Sequence, residues 1–154
     1  MLHIISGDNM NENIEMLEYI VKDCDMAIKS LTTLIRTINN KDNKIKNVVE
    51  GIIKGYENIL KDSKGIIKKS KYEISKNSKF AEMGSYMGVK MELLKDNSDS
   101  RVADMLIKGL TMGTLDMDKK INKFSKDVDK DIMQLAKKFY KFQQESIEIL
   151  KPYL

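Results

Sequence analysis

The 154-residue sequence holds one proline, Pro152, one cysteine, Cys24, and one histidine, His3, and only two of its 27 basic residues, Arg36 and Arg101, are arginines. Proline costs a helix interior about 3 kcal/mol, so a chain that keeps its only one near the end leaves every internal segment free to be helical. A turn-rich β fold is thereby disfavoured. A lone cysteine makes no internal disulfide and offers a metal a single thiolate, which points to a reducing compartment. Arginine's planar fork suits bases and phosphates, and its scarcity argues against a dedicated nucleic-acid reader. No apolar run reaches the roughly 20 residues of a membrane span, and Met1 to Ser6 lack the basic leader and apolar length of a signal peptide. A cytoplasmic protein is expected, with neither nucleic acid nor a membrane surface as its partner.

Hydrophobic residues make up 42% of the chain and charged residues 32%, a balance that builds a core and coats long helices. At this length folding buries about 70% of the surface the unfolded chain exposes, so a single domain over 1–154 needs no metal or disulfide to fold.

Apolar residues recur in alternating steps of three and four. Ile14, Leu17, Val21, Cys24, Ile28, Leu31, Ile35 and Ile38 trace one stripe, which predicts a helix over about 11–39. No acid lies on that stripe; Glu18 or Asp25 would enter it only if the helix turned. Asn39, Asn40, Asp42 and Asn43 form a polar turn. Ile45, Val49, Ile52, Tyr56, Ile59 and Ile66 then predict a second helix over 44–76, antiparallel to the first because the link is short. Val102, Leu106, Leu110, Gly113, Met117, Ile121 and Phe124 mark a third over 99–125, with Ser98 or Asp99 as its N-cap. Val128, Ile132, Leu135, Phe139, Phe142 and Ile149 mark a fourth over 128–150, with Asp127 or Asp129 charging its first turn. Acid–base pairs four apart support the outer faces: Glu18 with Lys22, Glu50 with Lys54, Glu57 with Lys61, Asp104 with Lys108, Asp116 with Lys120.

Residues 77 to 98 decide the topology. This stretch carries Met83, Met87 and Met91 and is interrupted by Gly84 and Gly88. Extended, it reaches about 70 Å, enough to return along a helix of roughly 30 residues and start the next one parallel to the last. It reads as a long, partly helical crossover; a fifth bundle helix is the alternative.

Two long helices, a crossover, two more helices and a tail resemble the ferritin-like superfamily in a small bacterial form, over nearly the whole chain. Members with a di-iron centre carry a Glu on each of two helices and Glu-x-x-His on the other two. The nearest counterparts here are Glu57-Asn58-Ile59-Leu60 and Glu145-Ser146-Ile147-Glu148, with Leu60 and Glu148 at the histidine positions. The resemblance thus implies an all-α, ferritin-like four-helix bundle without the usual di-iron ligands. It implies a non-enzymatic protein with no cofactor and a structural or accessory role through its surface, extending to stress.

Three other features carry chemistry. Asp116 and Asp118 sit two apart beside Leu115 and Met117, which read as core, and whichever of them, Asp116 first, pointed inward toward Glu57 would make a carboxylate-only metal site for Mg²⁺, Ca²⁺ or Mn²⁺; such acids ordinarily face water. Lys61, Lys64, Lys68 and Lys71 line one face of the second helix, a row that suits a polyanion and equally complements the negative end of a helix. Finally, Gly51 with Gly55, Gly84 with Gly88, and Gly109 with Gly113 are spaced to let helices approach closely or to leave room for a large neighbour. A homodimer is also expected, because Phe80, Met83, Tyr86, Met87 and Met91 exceed what one bundle covers.

Overall fold

The computed structural model describes residues 7–38, 42–74 and 98–154. Among them the chain is all-helical, with four long helices: α1 (Gly7–Ile38), α2 (Lys46–Ser70), α3 (Asp99–Lys123) and α4 (Lys130–Leu150), followed by a 3₁₀ turn, Lys151–Tyr153. The predicted crossover or fifth helix lies outside the described residues, as do Gly84, Gly88 and the aromatic and methionine residues on which the dimer expectation rests.

Each helix buries a seam with steps of three and four. On α1 it runs Asn13, Leu17, Ile20, Cys24, Ala27, Leu31, Leu34, Ile38, and all eight are buried. The predicted stripe shares Leu17, Cys24, Leu31 and Ile38, whereas Ile14, Val21, Ile28 and Ile35 are half-buried along one flank. Met16, Tyr19 and Ser30 are buried along the other flank, where Asp23 also lies. On α2 the seam is Val49, Ile52, Tyr56, Ile59 and Ser63, whose hydroxyl returns its bond to the Ile59 carbonyl at 2.8 Å. α2 stops at Ser70 and not at 76, because Lys71 turns left-handed (φ 61°) and donates its N–H to the Ile67 carbonyl at 2.9 Å, closing the last turn.

α4 brings a correction. Its buried seam is Ile132, Leu135, Phe139, Gln143, Ser146 and Leu150, while the predicted Ile149 is 53% exposed and Phe142 half-buried. The pattern of three and four continues past Phe139 onto polar residues, and the large apolar ones stand beside it.

Both bundle ends are pinned by single side chains. At one end Asn13, fully buried, accepts the Asp129 N–H at 2.8 Å and donates to the Tyr72 hydroxyl at 3.1 Å. The beginnings of α1 and α4 thus meet the end of α2. At the other, the Asp99 carboxylate accepts from the Asn43 amide at 2.8 Å and from the N–H groups of Lys44 and Ile45 at 3.1 and 3.4 Å. This is a capping interaction supplied across the bundle, since Ile45 at the N-cap of α2 has no capping side chain. Ser98 caps α3 by accepting the Arg101 N–H at 3.3 Å. α2 and α3 therefore begin at the same end and run parallel, and α1 and α4 run opposite to both.

Gly55 lets α2 and α4 close. A β-carbon there would stand 2.2 Å from the Phe142 ring, which packs edge-on to Tyr56 at 4.9 Å while Tyr56 meets Phe139 at 5.9 Å. Gly51, one turn earlier, has nothing among the described residues within 4 Å of that position. We expect Gly55→Ala to destabilise the protein by about 1 to 3 kcal/mol in urea denaturation, through overpacking. Gly51→Ala should stabilise it by about 0.5 to 1 kcal/mol through helix propensity alone. Matching signs for the two would show that Gly55 does not set the helix approach.

Candidate functional site

A small polar site interrupts the apolar middle of the bundle. α1 brings Asp23 to it from the flank of its seam, α2 brings Tyr56, α3 brings Gly109 and Gly113, and α4 brings Gln143. They enclose a cavity of about 40 Å³ whose remaining walls include Ala27, Leu31, Ile52, Leu106 and Leu110. Asp23, Met26, Gly109 and Gly113 are half-buried, so the cavity meets the surface along the seam between α1 and α3.

The glycines make the space. A β-carbon on Gly113 would come within 2.6 Å of Gln143 Nε2, so the Gln143 amide occupies the room that glycine leaves. Gln143 is 1% exposed; its Nε2 lies 3.5 Å from an Asp23 carboxylate oxygen, and its Oε1 is buried without a hydrogen-bond partner among the described residues. An orphaned buried acceptor costs about 1 to 3 kcal/mol, so this atom marks a place where a donor belongs.

The electrostatics are one-signed. Burial, and then the charge of Asp116, push the Asp23 carboxyl up to about 7. Burial, and then Asp23, raise the Tyr19 and Cys24 groups far above their usual ranges. Tyr56 is raised by the same two causes, with a hydrogen bond from Gln143 acting in the opposite sense. The phenols and thiol therefore stay neutral, and Cys24, fully buried, is no ready nucleophile. Lys120 of α3 does not settle on Asp116 as the four-residue spacing predicts. It reaches Glu15 of α1 at 3.9 Å and sits 4.7 Å over the Tyr19 ring. Asp104 with Lys108 does form its pair, at 3.0 Å.

The sequence-predicted residues fall elsewhere or only partly here. Asp116 is half-buried on α3 and electrostatically coupled to Asp23 and Tyr19, whereas Glu57 is exposed on α2. Among the described residues no three His, Cys, Asp or Glu side chains gather as a metal site. Lys61, Lys64, Lys68 and Lys71 are all exposed, the first three on one face of α2 and Lys71 at its left-handed end. No helix among the described residues is long and apolar enough to cross a membrane. Asp23 and Gln143 were not among the predicted residues, although continuing the α4 seam by four from Phe139 lands on Gln143.

The sequence matches no protein-family model, and comparison with curated proteins and with solved structures gives no significant match.

Proposed function

We propose that this chain is a non-enzymatic, cytoplasmic bundle of ferritin-like layout that acts as a structural or accessory protein through its surface. The observation that carries the reading is where the acids of α2 and α4 stand. Glu57, Glu145 and Glu148 are exposed, the last paired with Lys151 at 2.6 Å, while Tyr56, Phe139 and Phe142 fill the space between the two helices. A ferritin-like centre needs such carboxylates and imidazoles projecting inward, and turning either helix to supply them would move its apolar seam into water. The layout itself is supported by the helix directions: α2 and α3 parallel, α1 and α4 opposed to them, as a bundle with one long crossover requires.

The test is iron content. Protein expressed with ample iron is expected to purify colourless, with far less than one iron per chain by elemental analysis and no ferroxidase activity. Stoichiometric iron that disappears in Glu57→Ala or Asp116→Ala would overturn the reading in favour of a carboxylate-only metal protein.

A further inference from the structure

We propose that the cavity between Asp23 and Gln143 binds a short-chain primary ammonium ion, its N–H donors shared by the Asp23 carboxylate and the Gln143 carbonyl. Two independent features ask for such a ligand. Gln143 Oε1 is a buried acceptor with no donor among the described residues, and Gln143 lines a space large enough to hold one. Asp23 is a carboxylate in the cavity wall, within electrostatic reach of a second carboxylate, Asp116, and without a cation bonded to it among the described residues. A water molecule would satisfy the first and leave the charge of the second uncompensated. An ammonium group answers both.

Size and lining narrow the class. A single water needs only about 10 to 15 Å³ of such space, so about 40 Å³ accommodates two or three heavy atoms. Ala27, Leu31, Leu106 and Leu110 offer apolar wall to a methyl or ethyl group, and the glycines hold the opening between α1 and α3. A divalent cation fits poorly: Ca²⁺ wants about six to eight oxygens and Mg²⁺ near-ideal octahedral geometry, and the lining supplies only the Asp23 carboxylate, the Gln143 carbonyl and the Tyr56 hydroxyl.

The described groups that interact with Asp23 are Tyr19 and Cys24 from α1, Tyr56 from α2 and Asp116 from α3 through their charges or potential charges, and the neutral Gln143 from α4 through its amide. The phenols and thiol stay neutral while Asp23 changes charge near neutrality, and the ammonium ion competes with its proton. Binding strengthens as pH rises through about 7 and expels a proton from the site below it.

The experiment is a titration of the ¹⁵N-labelled full chain with ethylammonium chloride at pH 8 and pH 6, reading the Gly113 amide and the Gln143 side-chain amide. Matched titrations use NaCl, MgCl₂ and tetramethylammonium chloride. A ligand of three heavy atoms reaches a Kd on the order of 1 mM at best, so saturation in the low-millimolar range is expected with ethylammonium alone. Affinity should fall about tenfold at pH 6 and at least tenfold in Asp23→Asn, which is isosteric and keeps the fold. Gln143→Leu, checked by its far-UV spectrum, should weaken binding as well. No saturable shift, an unchanged affinity in Asp23→Asn, or saturation by Mg²⁺, Na⁺ or tetramethylammonium would each overturn the assignment.

Discussion

Leu31→Ala is expected to lower the free energy of unfolding by about 2 to 5 kcal/mol, and Lys29→Ala to change it by less than about 0.5 kcal/mol, both measured by urea denaturation. Leu31 is 2% exposed at the middle of the α1 seam, while Lys29, two residues earlier, is exposed. The cost of such a truncation is the lost transfer energy plus a term for whatever void the neighbours fail to fill. Here the neighbours are poorly placed to fill it. Leu31 already borders the cavity beside Gln143, and Ile52, Leu106 and Leu110 in the same wall belong to buried seams on α2 and α3, whose shared starting end is pinned through Asp99. The new void would join the old one, which places the expected value in the upper half of the range. Equal losses at the two positions would show that the inward face of α1 is assigned wrongly.

The seams were legible because burying apolar area dominates the free energy of a helix in a bundle, and that term writes a period into the chain. Leu17, Cys24, Leu31 and Ile38 on α1, and Val49, Ile52, Tyr56 and Ile59 on α2, could be placed inside from spacing alone. What spacing of apolar residues cannot register is a polar side chain on the same period. Asn13 begins the α1 seam and Gln143 continues that of α4, and each enters the core because helix geometry, not hydrophobicity, decides which positions face inward. Asn13 is compensated by Asp129 and Tyr72, contacts with residues more than fifty positions away that no local reading supplies. Asp99 capping α2 from α3 is hidden for the same reason. Asp23 is not legible from spacing because the apolar stripe runs through Ile14 and Val21, which lie on one flank of the buried seam, opposite to Asp23. A rotation of less than one residue's turn is enough to bring Asp23 to the cavity edge.

Asp23→Asn is expected to stabilise the protein at pH 8 by about 2 to 4 kcal/mol and to leave its stability unchanged at pH 3, with the gain growing between pH 4 and 7. Burial and the neighbouring Asp116 raise the folded-state carboxyl to about 7 from an ordinary value near 3.8. Below both values the carboxyl is protonated in the folded and unfolded chains alike and contributes nothing. Between them the folded protein holds a proton that the unfolded chain has released, so the folded state binds more protons and stability falls as pH rises. Above 7 both states are ionised, and the folded state carries the full cost of a carboxylate held near Asp116 in a largely apolar surround. Water reaches the half-buried side chain, and the lower end of the range allows for that screening. Asparagine keeps the shape, loses the charge and still accepts from Gln143, so it removes the cost without opening a void. Asp25→Asn, on the exposed face of the same helix, should shift stability at pH 8 by no more than about 0.5 kcal/mol. Denaturation midpoints of the wild type and both variants at pH 3, 5, 6.5 and 8 decide the matter, and an Asp23→Asn difference that does not vary with pH would mean the carboxylate is solvated like any other. A side chain that lowers stability at neutral pH in a bundle otherwise built on regular seams is the pattern expected where a residue is kept for what it binds. Adding ethylammonium at pH 8 should therefore recover for the wild type part of the stability that asparagine gains outright, and recover none for Asp23→Asn.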